Sequence, residues 1–298
     1  MTRALSLLMA VLVVGPVLSA GQTPPAKTPP TPAPPTVQPV RGGLYLVKGG
    51  AGANTAFFVT RKAVFAVDAK MTPESAAALL AEVRKVTAAP LTTVIITHSD
   101  GDHINGLPGF PKGLSIVAHD RCRDDIVEAA KSLPGLGDYV PNRTFDRTLK
   151  LGSGADEIAL SHFGPAHTGG DTVVHFPALR TVFVGDLLFV GRDPLIHRNK
   201  GGNSFGYVKT LEALLALEPK VETFLSGHAD PLGRTEVEAL RDSMSGTQAK
   251  VKALVAEGKS LAEIKKAFGI DDPPDAPGGR RRWLSLVETV YLELTEKK

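Results

Sequence analysis

The feature that most limits what this chain can fold into is a run of metal-capable side chains, Thr97-His98-Ser99-Asp100-Gly101-Asp102-His103, placed directly after an apolar stretch. Four imidazole or carboxylate side chains fall within six positions. The preceding Val94, Ile95 and Ile96 are apolar without alternation, which reads as a strand buried on both faces. His98 and Asp100, two apart in an extended turn, can point to one side. Asp102 and His103, where the chain turns into the next helix, can face a second point close by. Imidazole and carboxylate are the donors that hold zinc, iron or manganese. The fold therefore has to bring a strand end to a ligand-rich edge.

The rest of the chain supplies strands mixed with helices. Short apolar runs at 44–47, 56–59 and 64–67 are separated by turn residues and read as a meander. Residues 73–86 carry Leu79, Leu80 and Val83 at helical spacing, with Pro73 in the first turn, where helices accept proline. Further strands are expected at 91–97, 114–118, 144–149, 157–162, 171–176, 181–185 and 221–226. Helices are expected through Ile126 and Val127, over 207–217, and from 233 onward. The last, over 281–294, would place Trp283, Val287, Val290 and Leu294 on one face. This mixture predicts a layered α/β arrangement around one continuous core.

Composition matters mainly at the N-terminus. Arg3 precedes an apolar run at 4–18, and Ser19, Ala20 and Gly21 follow it, so residues 1–20 read as a secretory signal peptide. The run is short and broken by Gly15-Pro16, so no stable membrane span is expected after cleavage. Residues 22–40 hold eight prolines in nineteen positions. Residues 21–40 therefore read as an extended spacer unable to join a sheet, with one folded domain over 41–298. The net charge of +3, without a basic stripe, argues against a nucleic-acid partner. Cys122 is alone, so no internal disulfide forms. Nothing in the sequence sets an oligomeric state.

Three later segments follow the first run in order: Phe163-Gly164-Pro165-Ala166-His167-Thr168-Gly169-Gly170-Asp171, Val184-Gly185-Asp186 and Ser226-Gly227-His228-Ala229-Asp230. Together the four segments resemble the motifs of the metallo-β-lactamase superfamily. The first is similar to its signature His-x-His-x-Asp-His, with Asp100 where the second His usually stands. The resemblance spans roughly 44–230 and implies an αββα four-layer sandwich with metals at one edge, between two sheets. It implies that His98, Asp100 and His167 hold a first divalent metal and that Asp102, His103 and His228 hold a second. Asp186 would stand between them. Zinc is the first expectation for both ions, and the harder carboxylate of Asp100 admits iron or manganese. Such ions polarise a substrate and acidify water, so hydrolysis needs no protein nucleophile, and Asp102 is the expected catalytic carboxylate.

The function so implied is an exported metal-dependent hydrolase acting on a small ester, thioester, lactone or amide, β-lactams included. Two alternatives stand beside it. An acidic residue at position 100 resembles the flavodiiron branch, which points to an iron-dependent oxidoreductase; a metal-binding protein without turnover is the other. Around the ligands, Asp68 is a candidate to orient the His98 loop, Asp230 to support His228, and Thr97 to donate a hydrogen bond at the strand end. The loop at 191–204 offers Arg192, His197 and Arg198 as candidates to bind a small-molecule substrate. His119, His162 and His175 lie outside every motif and read as structural, and Arg280-Arg281-Arg282 as a solvated helix start.

Overall fold

The computed structural model describes residues 32–271 and 283–296. The expected signal peptide, most of the proline-rich spacer and the Arg280-Arg281-Arg282 run lie outside the described residues. One expectation about the spacer is corrected. Thr36–Arg41 forms strand β1, paired antiparallel with β2 (Leu44–Lys48). β1 is the edge of its sheet, where a proline with no N–H to give is tolerated, and the register shifts between Pro39 and Arg41.

The first sheet continues through β3 (Thr55–Val59), β4 (Val64–Val67), β5 (Leu91–Ile95), β6 (Ser115–His119) and β7 (Arg143–Phe145), in that order. Pairing is antiparallel up to β4 and parallel beyond it. Parallel neighbours require crossovers. Helix α1 (Pro73–Val86) joins β4 to β5, the short α2 (Gly101–Ile104) follows β5, and α3 (Asp120–Ala130) lies between β6 and β7. α1 begins where the sequence places it. Thr72 caps it by accepting from the Ser75 N–H, and Leu79, Leu80 and Val83 are buried. Truncating Leu79 to alanine in such a site costs about 2–5 kcal/mol.

The second sheet holds β8 (Thr148–Leu151), β9 (Ile158–Ser161), β10 (Val173–Phe176), β11 (Thr181–Phe183) and β12 (Thr223–Leu225), in the order β12-β11-β10-β9-β8. The single strand expected over 144–149 is thus two: the chain leaves the first sheet after Phe145 and enters the second at Thr148. Helix α4 (Ser204–Leu215) precedes β12, and α5 (Arg234–Ala256), α6 (Leu261–Ala267) and α7 (Leu286–Thr295) follow. α7 begins later than the sequence pattern suggests, because Ser285 and Glu288 form its capping box, and this leaves Trp283 ahead of the helix.

Strand alternation decides the layering. Leu46, Phe58, Val67, Ile95 and Val117 of the first sheet pack with Leu160, Val174, Phe183 and Leu225 of the second. The opposite faces carry Phe57, Ala66, Val94 and Ile116, which meet the helices through Leu79, Val83 and Ile126. Val173, Val182 and Phe224 pack against Leu211, Val237, Met244, Val251 and Val290 of the C-terminal helices. Three apolar layers between four structural ones make an αββα sandwich.

Candidate metal centre

The ends of β4 and β5 place the first polar side chains. Asp68 follows β4 at a φ of 63° and is fully buried. Its carboxylate accepts from the Thr97 N–H and the Thr97 hydroxyl, both at 2.8 Å, and lies 2.7 Å from His103 Nδ1. The Thr97 hydroxyl proton is thereby engaged, so its oxygen accepts from His98 Nδ1 at 3.0 Å. His167 Nδ1 donates to the Leu195 carbonyl at 2.7 Å. These partners assign Nδ1 as the protonated nitrogen in all three rings and turn each Nε2 lone pair inward. Thr97 is therefore the donor expected at the strand end, and Asp68 orients His103 as well as the His98 loop.

The donors converge in two groups. Ligand atoms of His98, Asp100, His167 and Asp186 lie within 4.8 Å of one another, and those of Asp102, His103 and His228 do the same. Asp186 reaches the second group, with Oδ1 3.2 Å from His103 Nε2 and Oδ2 3.1 Å from His228 Nε2. Close backbone approach makes this possible. A Cβ on Gly227 would stand 2.5 Å from Asp186 Oδ1, and one on Gly185 would stand 2.6 Å from the Thr97 hydroxyl. Only glycine fits either position.

Buried polar atoms without partners carry a cost of about 1–3 kcal/mol each unless something satisfies them. His98 Nε2, His103 Nε2 and Asp186 Oδ1 are buried with no hydrogen-bond partner. Inward lone pairs and ionised carboxylates are a donor set that divalent zinc, manganese or iron satisfies. The residues present fit such ions.

The carboxylates are held ionised, and the His103 and His228 rings beside them gain affinity for a proton that a bound ion would have to displace. Burial works to raise the Asp100 pKa, but the His167, His197 and His98 rings around it hold it far below the usual carboxylate range. Asp186 is held down in the same way by His103 and His228. Burial pulls His103 down, and Asp68 and Asp186 outweigh it and lift it well above its ordinary value. Hydrogen bonds to Asp102 and Asp186 raise His228 to about 9. His98, buried beside His103, is lowered.

A cleft of about 620 Å³ opens on this cluster, lined by Asp100, Asp102, Asp186 and His228 together with Met71, Phe189, Arg192, Leu195, His197 and Trp283. All seven candidate ligands come together. Of the three candidate substrate contacts, Arg192 lines the cleft, its guanidinium 4.5 Å above the Phe189 ring centroid. His197 also reaches it, with Nε2 2.8 Å from Asp100 Oδ2. Arg198 does not: its guanidinium meets the Glu296 carboxylate on the far side of the loop. Asp230 pairs with Lys48 rather than His228. His119 caps α3 and stacks on His162, with ring centroids 3.8 Å apart. Sequence reasoning passed over Lys200, which bonds Asp100 and the Ser99 carbonyl, and Trp283, assigned to a helix face. Lys200 lies in the loop already singled out, and its positive charge there was the available signal.

Comparison with known proteins accords with this geometry. Residues 49–228 match the family described as the metallo-beta-lactamase superfamily. The chain is 27% identical over 205 residues to Metallo-beta-lactamase type 2 of Elizabethkingia meningoseptica, covering 67% of this chain and 78% of that protein. It is 26% identical over 235 residues to the 2,4-dinitroanisole O-demethylase subunit alpha of Nocardioides sp. (strain JS1661), covering 77% and 69% respectively. Among solved structures, a metallo-beta-lactamase from Pontibacter korlensis superposes with a TM-score of 0.59 at 15% identity, covering 70% of this chain and 99% of that one.

Proposed function

Since the chain belongs to the metallo-beta-lactamase superfamily, we propose that it is an exported, two-metal hydrolase of a small ester, thioester, lactone or amide. The observation that carries this reading is the pair of ligand groups joined through Asp186 beneath an open cleft. His98, Asp100, His167 and Asp186 would hold one ion, and Asp102, His103, His228 and Asp186 the other. Bound ions supply Lewis acidity toward a carbonyl and acidify a water. The protein does the rest. Asp68 and the Leu195 carbonyl fix two ligand rings. Asp102 Oδ2, on the cleft and 3.1 Å from His228 Nε2, is placed to take a proton from water and return it to the leaving group. Arg192 faces the same space and suits an anionic end of the substrate. The N-terminal sequence supports export, and among the described residues no helix is long and apolar enough to cross a membrane.

A second reading, iron-dependent redox chemistry, is favoured by the carboxylate of Asp100 in the first donor group. One experiment separates the two. Chelator-stripped protein is reloaded with zinc, manganese or ferrous iron and assayed on an ester, thioester, lactone and amide panel, and beside an oxygen electrode with a thiol supplied as the electron donor and a protein-free metal blank subtracted. Hydrolysis restored by metal without oxygen uptake supports the first reading; oxygen uptake without hydrolysis overturns it.

A further inference from the structure

Single apolar side chains exposed on a folded surface are ordinary, but a cluster of large ones around a cleft marks a binding site. Among the described residues the two most exposed are Trp283, at 63%, and Val190, at 59%, with Met71 at 45%. Trp283 and Met71 line the cleft above the ligand groups, and Val190 lies in the loop beside it. Phe189 and Leu195 complete an apolar wall on the same cleft.

The indole is held, not merely attached. Its ring meets His197 edge to face, with centroids 5.0 Å apart. Two residues on, Ser285 caps α7. The Leu286 N–H donates to Asp193 Oδ2 at 3.1 Å, which ties this segment to the loop that follows Asp186. His197 in turn is fixed by backbone bonds to the His167 carbonyl at 2.8 Å and from Gly202 at 2.9 Å. An exposed tryptophan is thus presented at a set place beside the ligand groups, from a segment beyond the residues that match the family.

We propose that Trp283, with Met71, Phe189 and Leu195, forms a subsite for a flat aromatic group of the substrate. The inference rests on the hydrolytic reading of the same cleft and adds the substrate class. Ring faces stack in offset or edge-to-face geometry, which gives an aryl group more than its area alone, and an alkyl chain of equal length gains only the area. A cleft of about 620 Å³ has room for such a group beside the reacting bond.

Trp283 is the chain's single tryptophan, so its emission reports this subsite directly. The full chain is titrated with phenylacetate and, separately, hexanoate, excited where only tryptophan absorbs. A saturable emission change with phenylacetate, at least tenfold weaker with hexanoate, is expected. In parallel, the panel member hydrolysed best is compared as aryl and alkyl versions. Trp283→Ala should raise KM for the aryl version about tenfold and for the alkyl version about twofold or less, and Trp283→Phe should restore most of the difference. Equal effects on both versions, or no emission change with phenylacetate, overturn the subsite while leaving hydrolysis standing. If no panel member is hydrolysed yet phenylacetate binds selectively by calorimetry and loses binding in Trp283→Ala, the subsite stands and the hydrolytic reading falls.

Discussion

Lys200 Nζ stands 2.7 Å from Asp100 Oδ1, while the other oxygen of that carboxylate faces three imidazoles, at 2.8 Å from His197, 3.2 Å from His167 and 3.7 Å from His98. The Asp100 carboxylate therefore comes with its own compensating cation. The extra negative charge that a lone aspartate would bring to the first ligand group is offset, which leaves that group closer to an all-imidazole set in net charge.

Removing this cation should show its weight. In Lys200→Met a divalent ion near Asp100 loses a repulsive neighbour in a partly buried setting, so the first site should bind metal about tenfold more tightly. Competition with a chromophoric chelator measures it. Unchanged or weaker binding would mean that Lys200 serves to position Asp100 rather than to balance its charge.

Asp68 is predicted to act on the metal through His103. Asp68→Asn keeps the shape but removes the charge that holds the His103 Nδ1 proton, 2.7 Å away. Loss of such a supporting partner weakens metal binding about 10–100-fold. The measurement is a titration of the second site at fixed pH, because ligand imidazoles must be deprotonated to bind. Circular dichroism checks that the fold persists, and wild-type affinity in a folded variant would contradict the role.

Cys122 is 1% exposed, and burial, with Asp125 beside it, pushes its thiol well above the ordinary range. The nucleophilic thiolate is therefore scarce at neutral pH. Iodoacetamide at pH 8 should leave native protein unlabelled and label it stoichiometrically in denaturant. Rapid labelling of the native chain would contradict this.

Much of this was legible in the sequence because the ligands sit in short motifs at strand ends. His98, Asp102 and His103 needed only the neighbouring strand to be placed, and the α1 boundaries followed from Pro73 and the Leu79–Val83 spacing. What was not legible depends on chain segments far apart in sequence. The Lys200–Asp100 pair spans 100 residues, and the turn of Arg198 toward Glu296 depends on where α7 docks. Trp283 fits a helical face by periodicity, but the capping box at Ser285 starts the helix after it. The β1 strand was hidden by prolines that an edge position tolerates.

The most direct test of the shared-ligand centre is a metal count. Wild-type protein, stripped with chelator and dialysed against zinc, is measured by elemental analysis beside Asp186→Ala, with folding of both verified. Asp186 contacts both ligand groups, so the account predicts about two ions per wild-type chain and about one or fewer in the variant, with hydrolysis falling by orders of magnitude. One ion or none in the wild type, or two retained in Asp186→Ala with near-normal turnover, would contradict it.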